Sequence, residues 1–545
     1  METGGELGEK HSKYFISWPV LALMSFVTVI GFDDLIYNFK NQGMGVITSW
    51  VLMLFLYVIP YSLMVGQLGS IFSKEGGGLS SWIRGTNGEF LGYFTAWTYW
   101  AASIPYVVDT ANSVVVGLGW ALNGNNKFQE TMSNSHFAFW TLLVFVFFVV
   151  IQSRFKHSLE LLSSLGGIAM FGMTVLFVMM ALGSLAVGGK IATQPFNLGG
   201  AIIPKFDLKY LTTLGLLIYA VNGCELIAPF VTKMKHPQRE FPKSMIMLVV
   251  MTAFLTIFGS FSLGIFFNAH HLPYDLKMNG SYYAFQALGR QYHVGNLFMY
   301  LFAWTEVIYL AALLAVLLDA MTRMLISDTG EKFMPRFLRR TNHAGLPING
   351  YLLTCLLSGF ILFLGVFLPN MNDIFNWLLN LNGIISPGVT CWIFYAFMRV
   401  RKNSAVYPAA YVFIKNDRLA WWIGLWALTV TAVATVFGIA PPQDVPAFSK
   451  LWWHELLINL IAIGVLIGLG MLLPLITKRE KRDGEAFSRS QWIGMTVIVL
   501  TTLIAMLYIG GSQFSGKGFL LTGVAAVSLS LLFRCTRKKT KKSRN

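Results

Sequence analysis

Two apolar segments of this 545-residue chain carry glycine and acid at their middles. Ile30-Gly31-Phe32-Asp33-Asp34 interrupts the first, and Asn222-Gly223-Cys224-Glu225 interrupts the sixth. A carboxyl group in hydrocarbon loses its hydration, so an apolar helix rarely keeps one without a use. Glycine weakens the helix at the same point and frees N–H and C=O groups that lipid cannot satisfy. Such a break survives where it lines a cavity inside the protein, and one in each half of a chain points to a solute site at mid-membrane. Asp109 in the third segment and Glu306 in the eighth are further acids at depth.

The elements that must position these groups follow from composition. Hydrophobic residues make up 55% of the chain and charged residues 12%, against roughly 25% charged in soluble domains. Apolar runs near 16–39, 46–73, 89–122, 136–152, 158–187, 208–232, 241–268, 294–327, 347–369, 373–399, 418–440, 453–477, 491–511 and 518–534 predict an all-α integral membrane protein of about fourteen helices. The first run has no small-residue cleavage site and reads as a retained helix. Basic clusters at Lys233 to Lys243, Lys332 to Arg340, Arg399 to Arg418, Lys478 to Arg489 and Arg534 to Arg544 fall in alternate loops and the C-terminal tail. The opposite loops hold only scattered cations such as Lys40, Lys127 and Lys190. That bias predicts cytoplasmic N- and C-termini. It also accounts for the net charge of +16 through loops facing anionic lipid, with no nucleic-acid partner.

Motifs of other function classes fail on context. Gly511-Ser512-Gln513-Phe514-Ser515-Gly516-Lys517-Gly518 resembles a phosphate loop but has Gly518 where Ser or Thr is needed, and it sits between two membrane helices. No HExxH or GxSxG pattern occurs, and the four cysteines lack CxxC spacing. The expectation is a protein that is not an enzyme, with no cofactor and no metal site.

Tyr219-Ala220-Val221-Asn222-Gly223-Cys224-Glu225, followed by Lys235-His236-Pro237-Gln238-Arg239-Glu240-Phe241-Pro242, resembles the sixth-helix signature of the amino acid–polyamine–organocation superfamily. That signature is an aromatic, then G-x-E, then a basic N-P-x-R-x-x-P-like loop, with His236 here in place of Asn. Glu75-Gly76-Gly77-Gly78-Leu79-Ser80-Ser81-Trp82 resembles the family's E-G-G-x-x-x-W element, and Gly345-Leu346-Pro347 its small-residue-then-proline loop. Within the superfamily the chain is most similar to the glutamate:GABA antiporter group, over about residues 14–477. It departs from that group in ending with two extra helices and a basic tail instead of a cytosolic plug, so plug-based pH gating is not carried over.

The resemblance implies a LeuT-like five-plus-five inverted repeat with helices 1 and 6 broken. The expected organisation is a cytoplasmic N-terminus (1–15), a ten-helix transport core (16–400), helices 11 and 12 (401–477), two extra helices (478–534) and a basic cytoplasmic tail (535–545). An amino acid's carboxylate would meet free N–H groups at the start of a half-helix, where the dipole favours an anion. Its ammonium would meet unwound carbonyls and a carboxylate. The substrate-binding candidates are Gly31, Phe32 and Asp33 in the first break, and Asn222 and Gly223 in the second. Tyr219 stands where the family places a gating aromatic. Asp33 and Asp34 are too close for both to ionise freely, so Asp33 is assigned to the substrate amine while Asp34 pairs locally or stays protonated. Asp34, Asp109, Glu225 and Glu306 are candidates for the substrate site or for proton coupling; Glu225 reads equally as a staple of the broken helix. Trp97, Trp100 and Tyr106 read first as core packing, with lining the same cavity as Asp109 the alternative, and Asn380 and Asn382 read as polar groups that reach substrate or bond across helices. The expected function is secondary active transport of amino acids in the bacterial inner membrane, by amino acid/amine antiport with glutamate:GABA-type exchange as one form. A proton-coupled amino acid or polyamine permease is the alternative, with an ion channel or membrane sensor more remote. The partners are a small amino acid or amine and the lipid bilayer; the sequence says nothing of oligomeric state.

Overall fold

The computed structural model describes residues 15–480 except 76–77, 155–157, 195, 197–201, 328, 330–331, 341–347, 367–369 and 441–447. Among these residues every regular element is helical, and extended backbone pairs only where Ile16 meets Met234. The first expected span divides into α1 (Trp18–Val29) and α2 (Phe32–Gln42) on either side of Gly31. The second is α3 (Val46–Met53) and α4 (Ile59–Ile71), joined through one widened turn. Then come α5 (Leu79–Asn87), α6 (Glu89–Asn123), α7 (Lys127–Thr131), α8 (Asn134–Arg154) and α9 (Ser158–Ala186).

The second half opens with α10 (Leu208–Tyr219), which stops at the second break and resumes as a tighter 3₁₀ stretch, Cys224–Lys233. It continues through α11 (Pro237–Phe254), α12 (Ser260–Phe266), α13 (Leu276–Gln291), α14 (Leu297–Thr322), α15 (Ile348–Gly365) and α16 (Met371–Lys402). Helices α17 (Asp417–Ile439), α18 (Lys450–Leu469) and α19 (Leu472–Glu480) follow. Nine stretches among the described residues are long and apolar enough to cross a membrane. Every expected run up to 453–477 coincides with one or more helices. The last two, the basic tail and the Gly345-Leu346-Pro347 motif lie outside the described residues.

Local chemistry sets the boundaries. Pro237 opens α11, where its missing N–H costs nothing. Asp207, Asn370 and Asn416 cap α10, α16 and α17 by accepting backbone N–H bonds. Gly124 ends α6 in the left-handed conformation. Phe139, Trp140 and Phe147 on α8, with Trp422 and Trp426 on α17, are exposed, which suits hydrocarbon and not water. The centre is different: α6 and α14 pack on one another, α14 also packs on α9, and α1 lies along the Cys224–Lys233 stretch. Both α1 and the Cys224–Lys233 stretch pack against α14. The amphipathic α13 lies across α2 and α14.

Candidate functional site

At the first break Ile30 and Gly31 are extended, and α2 restarts at Phe32. The Gly31 N–H donates to Asp34 Oδ2 at 2.8 Å, so an acid three residues on caps the new helix. The Tyr309 hydroxyl on α14 donates to the Val27 carbonyl at 3.1 Å, satisfying a group the break sets free. A side chain on Gly31 would press a Cβ to 2.9 Å from that same hydroxyl. A larger residue here would have to displace the Tyr309 ring.

At the second break Gly223 has φ 113°, in the left-handed region. The Thr28 hydroxyl donates to the Gly223 carbonyl at 3.1 Å, and a Cβ on Gly223 would collide with the Thr28 carbonyl oxygen. The two breaks thus lie in contact. Glu225 accepts from the hydroxyls of Tyr61 and Tyr99. The Gly223 N–H donates to the Tyr61 hydroxyl at 3.1 Å. Tyr57 donates to Asn222 Oδ1 at 2.5 Å, and Asn222 Nδ2 donates to Ser386 and Thr390 at 3.1 and 2.9 Å. The side chains of Asn222 and Glu225 are tied to α4, α6 and α16 and to the turn before α4. Glu225 has the bonding of a staple.

Two narrow cavities flank the paired breaks. One is lined by Gly31, Asp33, Asp34, Tyr37, Tyr106, Asp109, Tyr219, Glu306 and Tyr309. The other is lined by Tyr99, Ser103, Tyr106, Tyr219, Asn222, Gly223, Glu225, Asn382, Ser386 and Thr390. The first is a chamber of four carboxyls, the second of amides and hydroxyls around Glu225. No Lys, Arg or His lines either. Asp109 Oδ1 and Asn382 Oδ1 are buried without a partner. The Ser281 hydroxyl on α13 donates to Asp33 Oδ1.

Of the sequence candidates, Gly31, Asp33, Asp34, Asp109 and Glu306 come together in the acid cavity, and Asn222, Gly223 and Glu225 in the polar one. Tyr219 borders both. Phe32 joins them by backbone only: its ring is fully buried against Phe177, Phe285 and Phe302. Asn382 reaches a cavity, whereas Asn380 is exposed. Tyr106 lines both cavities, while Trp97 and Trp100 pack against each other, 5.1 Å between centroids. Asp34 takes the Gly31 N–H and the Tyr61 hydroxyl takes the Gly223 N–H, so the protein itself holds these groups at the two places the sequence offered to a substrate carboxylate. Sequence reading missed Tyr57, Tyr61, Tyr99, Ser281, Ser386 and Thr390. The i,i+4 pairs Tyr57/Tyr61 and Ser386/Thr390, each on one helical face in apolar surroundings, were the available signal. Ser281 gave none, because α13 is too polar to read as a membrane element.

Residues 16–467 match the amino acid permease family. The chain is 38% identical over 474 residues to the aspartate/glutamate permease AcaP of Lactococcus lactis subsp. cremoris (strain MG1363), covering 86% of this chain and 97% of that protein. It is 24% identical over 314 residues to a glutamate/gamma-aminobutyrate antiporter of Lactococcus lactis subsp. lactis (strain IL1403), covering 54% of this chain and 57% of that protein. The fold is shared with a crystal structure of the Eremococcus coleocola manganese transporter: TM-score 0.59 at 13% identity, over 88% of this chain and 98% of that chain. With its two breaks meeting at mid-bundle, the chain is a membrane transporter and belongs to the amino acid permease family.

Proposed function

We propose that this chain carries acidic amino acids across the bacterial cell membrane by alternating access around the paired breaks, with both termini cytoplasmic. The observation that carries the reading is the pair of chemically unlike cavities joined at Tyr106 and Tyr219. An ammonium group suits the acid chamber, against Asp33 and the unpartnered Asp109 Oδ1. A carboxylate suits the other side, where the Ser386 hydroxyl and the Asn382 amide offer donors that are neutral. Gly31, Asn222 and Gly223 shape the backbone between them, and Tyr219 gates it. The 38% identity to an aspartate/glutamate permease across nearly its whole length supports the substrate class.

A second reading keeps the same site and makes the carrier an amino acid/amine antiporter. Four carboxyls with no lining cation favour an amine as the returning solute, and a relative named as a glutamate/gamma-aminobutyrate antiporter supports it. Purified protein in liposomes separates the two. Saturable uptake of labelled aspartate, competed by glutamate, is the expected result. Acceleration by putrescine or GABA on the opposite side would establish exchange with amines. Absence of uptake for every amino acid and amine tried would overturn both readings.

A further inference from the structure

The amphipathic α13 runs antiparallel along α2, from the first break to the far end of that helix. Phe285 lies against Phe32, the first residue of α2, with ring centroids 5.2 Å apart. Ser281 donates to Asp33 Oδ1. Gly280 approaches α2 so closely that a Cβ there would stand 2.6 Å from Cγ2 of Ile36. Just ahead of α13, the carbonyls of Leu272 and Pro273 take the Lys40 ammonium at 3.1 and 2.7 Å. Falling numbers on one side meet rising numbers on the other, and within this seam Ser281 is the residue bonded to an acid of the candidate site.

The other face of α13 is anchored without Ser281. Asp275, Asn279 and Tyr283 recur every four residues and share that face. Asn279 Oδ1 accepts from Trp120 Nε1 on α6 at 2.9 Å and from Gln129 Nε2 on α7 at 2.7 Å. Asp275 Oδ2 accepts from Asn279 Nδ2 at 3.0 Å and from the Tyr283 hydroxyl at 2.7 Å. The Trp120 and Tyr282 rings stack with centroids 5.0 Å apart. These contacts seat α13 on α6 and α7 whether or not Ser281 has its bond. What the Ser281 hydroxyl controls is Asp33, which lines the acid chamber. The last torsion of an aspartate side chain is soft, and a donor fixed on a neighbouring helix stops the carboxyl from turning. A carboxylate has about four acceptor positions, so Asp33 can keep this donor while it takes an ammonium.

We infer that Ser281 is a positioning residue for the substrate's amine: from α13 it holds the Asp33 carboxylate in the direction an ammonium needs. The helix that lies across α2 thus builds part of the binding site from outside the spanning segments. This deepens the function proposed above and rests on the substrate being an amino acid whose amine meets Asp33.

Full-length protein in liposomes, with labelled aspartate as the probe, tests it. Ser281→Ala should raise the apparent KM about tenfold, the scale of one hydrogen bond to a charged group, with kcat little changed. Ser281→Thr keeps a hydroxyl and should restore the wild-type KM. In detergent, Ser281→Ala should keep the substrate-free melting temperature of wild type and lose most of the shift that aspartate induces. Lys40→Met cuts the other polar tie between α2 and the α13 segment without touching Asp33, and should leave the KM unchanged. A wild-type KM in Ser281→Ala would overturn the proposal and leave the substrate reading standing. A KM defect that comes with a lowered substrate-free melting temperature, or that Lys40→Met reproduces, would also overturn it, because Ser281 would then act by packing or by tethering α2. Wild-type protein that neither transports nor binds any amino acid would overturn both.

Discussion

Tyr106 and Tyr219 meet edge to face with ring centroids 5.4 Å apart, and each ring borders both cavities. Tyr106 stands on the unbroken α6, and Tyr219 is the last residue of α10 before the second break. Edge-to-face pairs contribute about 0.5–1.5 kcal/mol, a barrier that substrate binding is able to overcome. Asn382 Nδ2 reaches the Tyr219 hydroxyl at 3.4 Å, a long bond that adds little. Tyr219→Phe should therefore keep most transport. Tyr219→Ala should merge the cavities and raise the apparent KM for substrate about tenfold or more, the loss of one such pair plus its packing. Equal kinetics for both variants would reduce the tyrosine pair to packing.

Gly223 is held against Thr28 in a backbone conformation that costs an L-residue roughly 1–2 kcal/mol. Gly223→Ala already places a Cβ into the Thr28 carbonyl, and Gly223→Leu adds bulk to the gap. Gly223→Leu should reach the membrane at normal levels and transport nothing, with Gly223→Ala intermediate. The check is uptake normalised to folded protein by fluorescence-detected size exclusion. Wild-type rates in Gly223→Leu would show that the breaks are not the site.

The two adjacent acids of α2 should separate by phenotype. Asp34 caps the helix through the Gly31 N–H. Asp34→Ala should lower stability by about 0.5–2 kcal/mol, read as a lower thermal midpoint, while Asp34→Asn keeps an acceptor oxygen and loses less. Asp33→Asn should instead weaken substrate binding, by roughly 1.5–3 kcal/mol for one charge-assisted bond. Ligand-induced thermal shifts and direct binding distinguish the two, and exchanged phenotypes would exchange the roles.

Lys277 lies on the amphipathic α13, outside the apolar spans. Burial, with Lys40 nearby as a second cause, pulls its ammonium down from 10.5 to about 8. Between those values the unfolded chain keeps a proton that the folded chain has released, so stability rises with pH across that window. Below about 8 the folded protein carries a partly desolvated charge. Lys277→Met should raise the melting temperature at neutral pH, with the gain shrinking as pH climbs towards 10.5. Melting curves of both proteins across that range check it; a gain independent of pH would refute the titration.

The breaks and the acids beside them were legible because hydrocarbon penalises both glycine-freed backbone and carboxyl groups, so Gly31, Asp33, Gly223 and Glu225 stand out without any structure. What each acid touches was not legible. Asp34 turning back to Gly31 and Glu225 gathering two tyrosines depend on side-chain directions that sequence spacing leaves open. Phe32 illustrates the converse: its neighbours form the break, yet helical geometry carries its ring into an aromatic cluster. The α13 helix escaped because it lies across the bundle without spanning it, and its mean composition is that of a soluble helix. With it went Ser281, the hydroxyl that fixes Asp33.

Counterflow tests the central claim most directly. Liposomes containing the protein and excess unlabelled aspartate are diluted into tracer aspartate, with no ion gradient. A carrier that exposes one site alternately to each side should concentrate tracer inside above its external level for a time, then let it decay. Gly223→Leu should show no overshoot. Tracer that only equilibrates in wild-type liposomes, without passing above the external level, would contradict alternating access around the paired breaks.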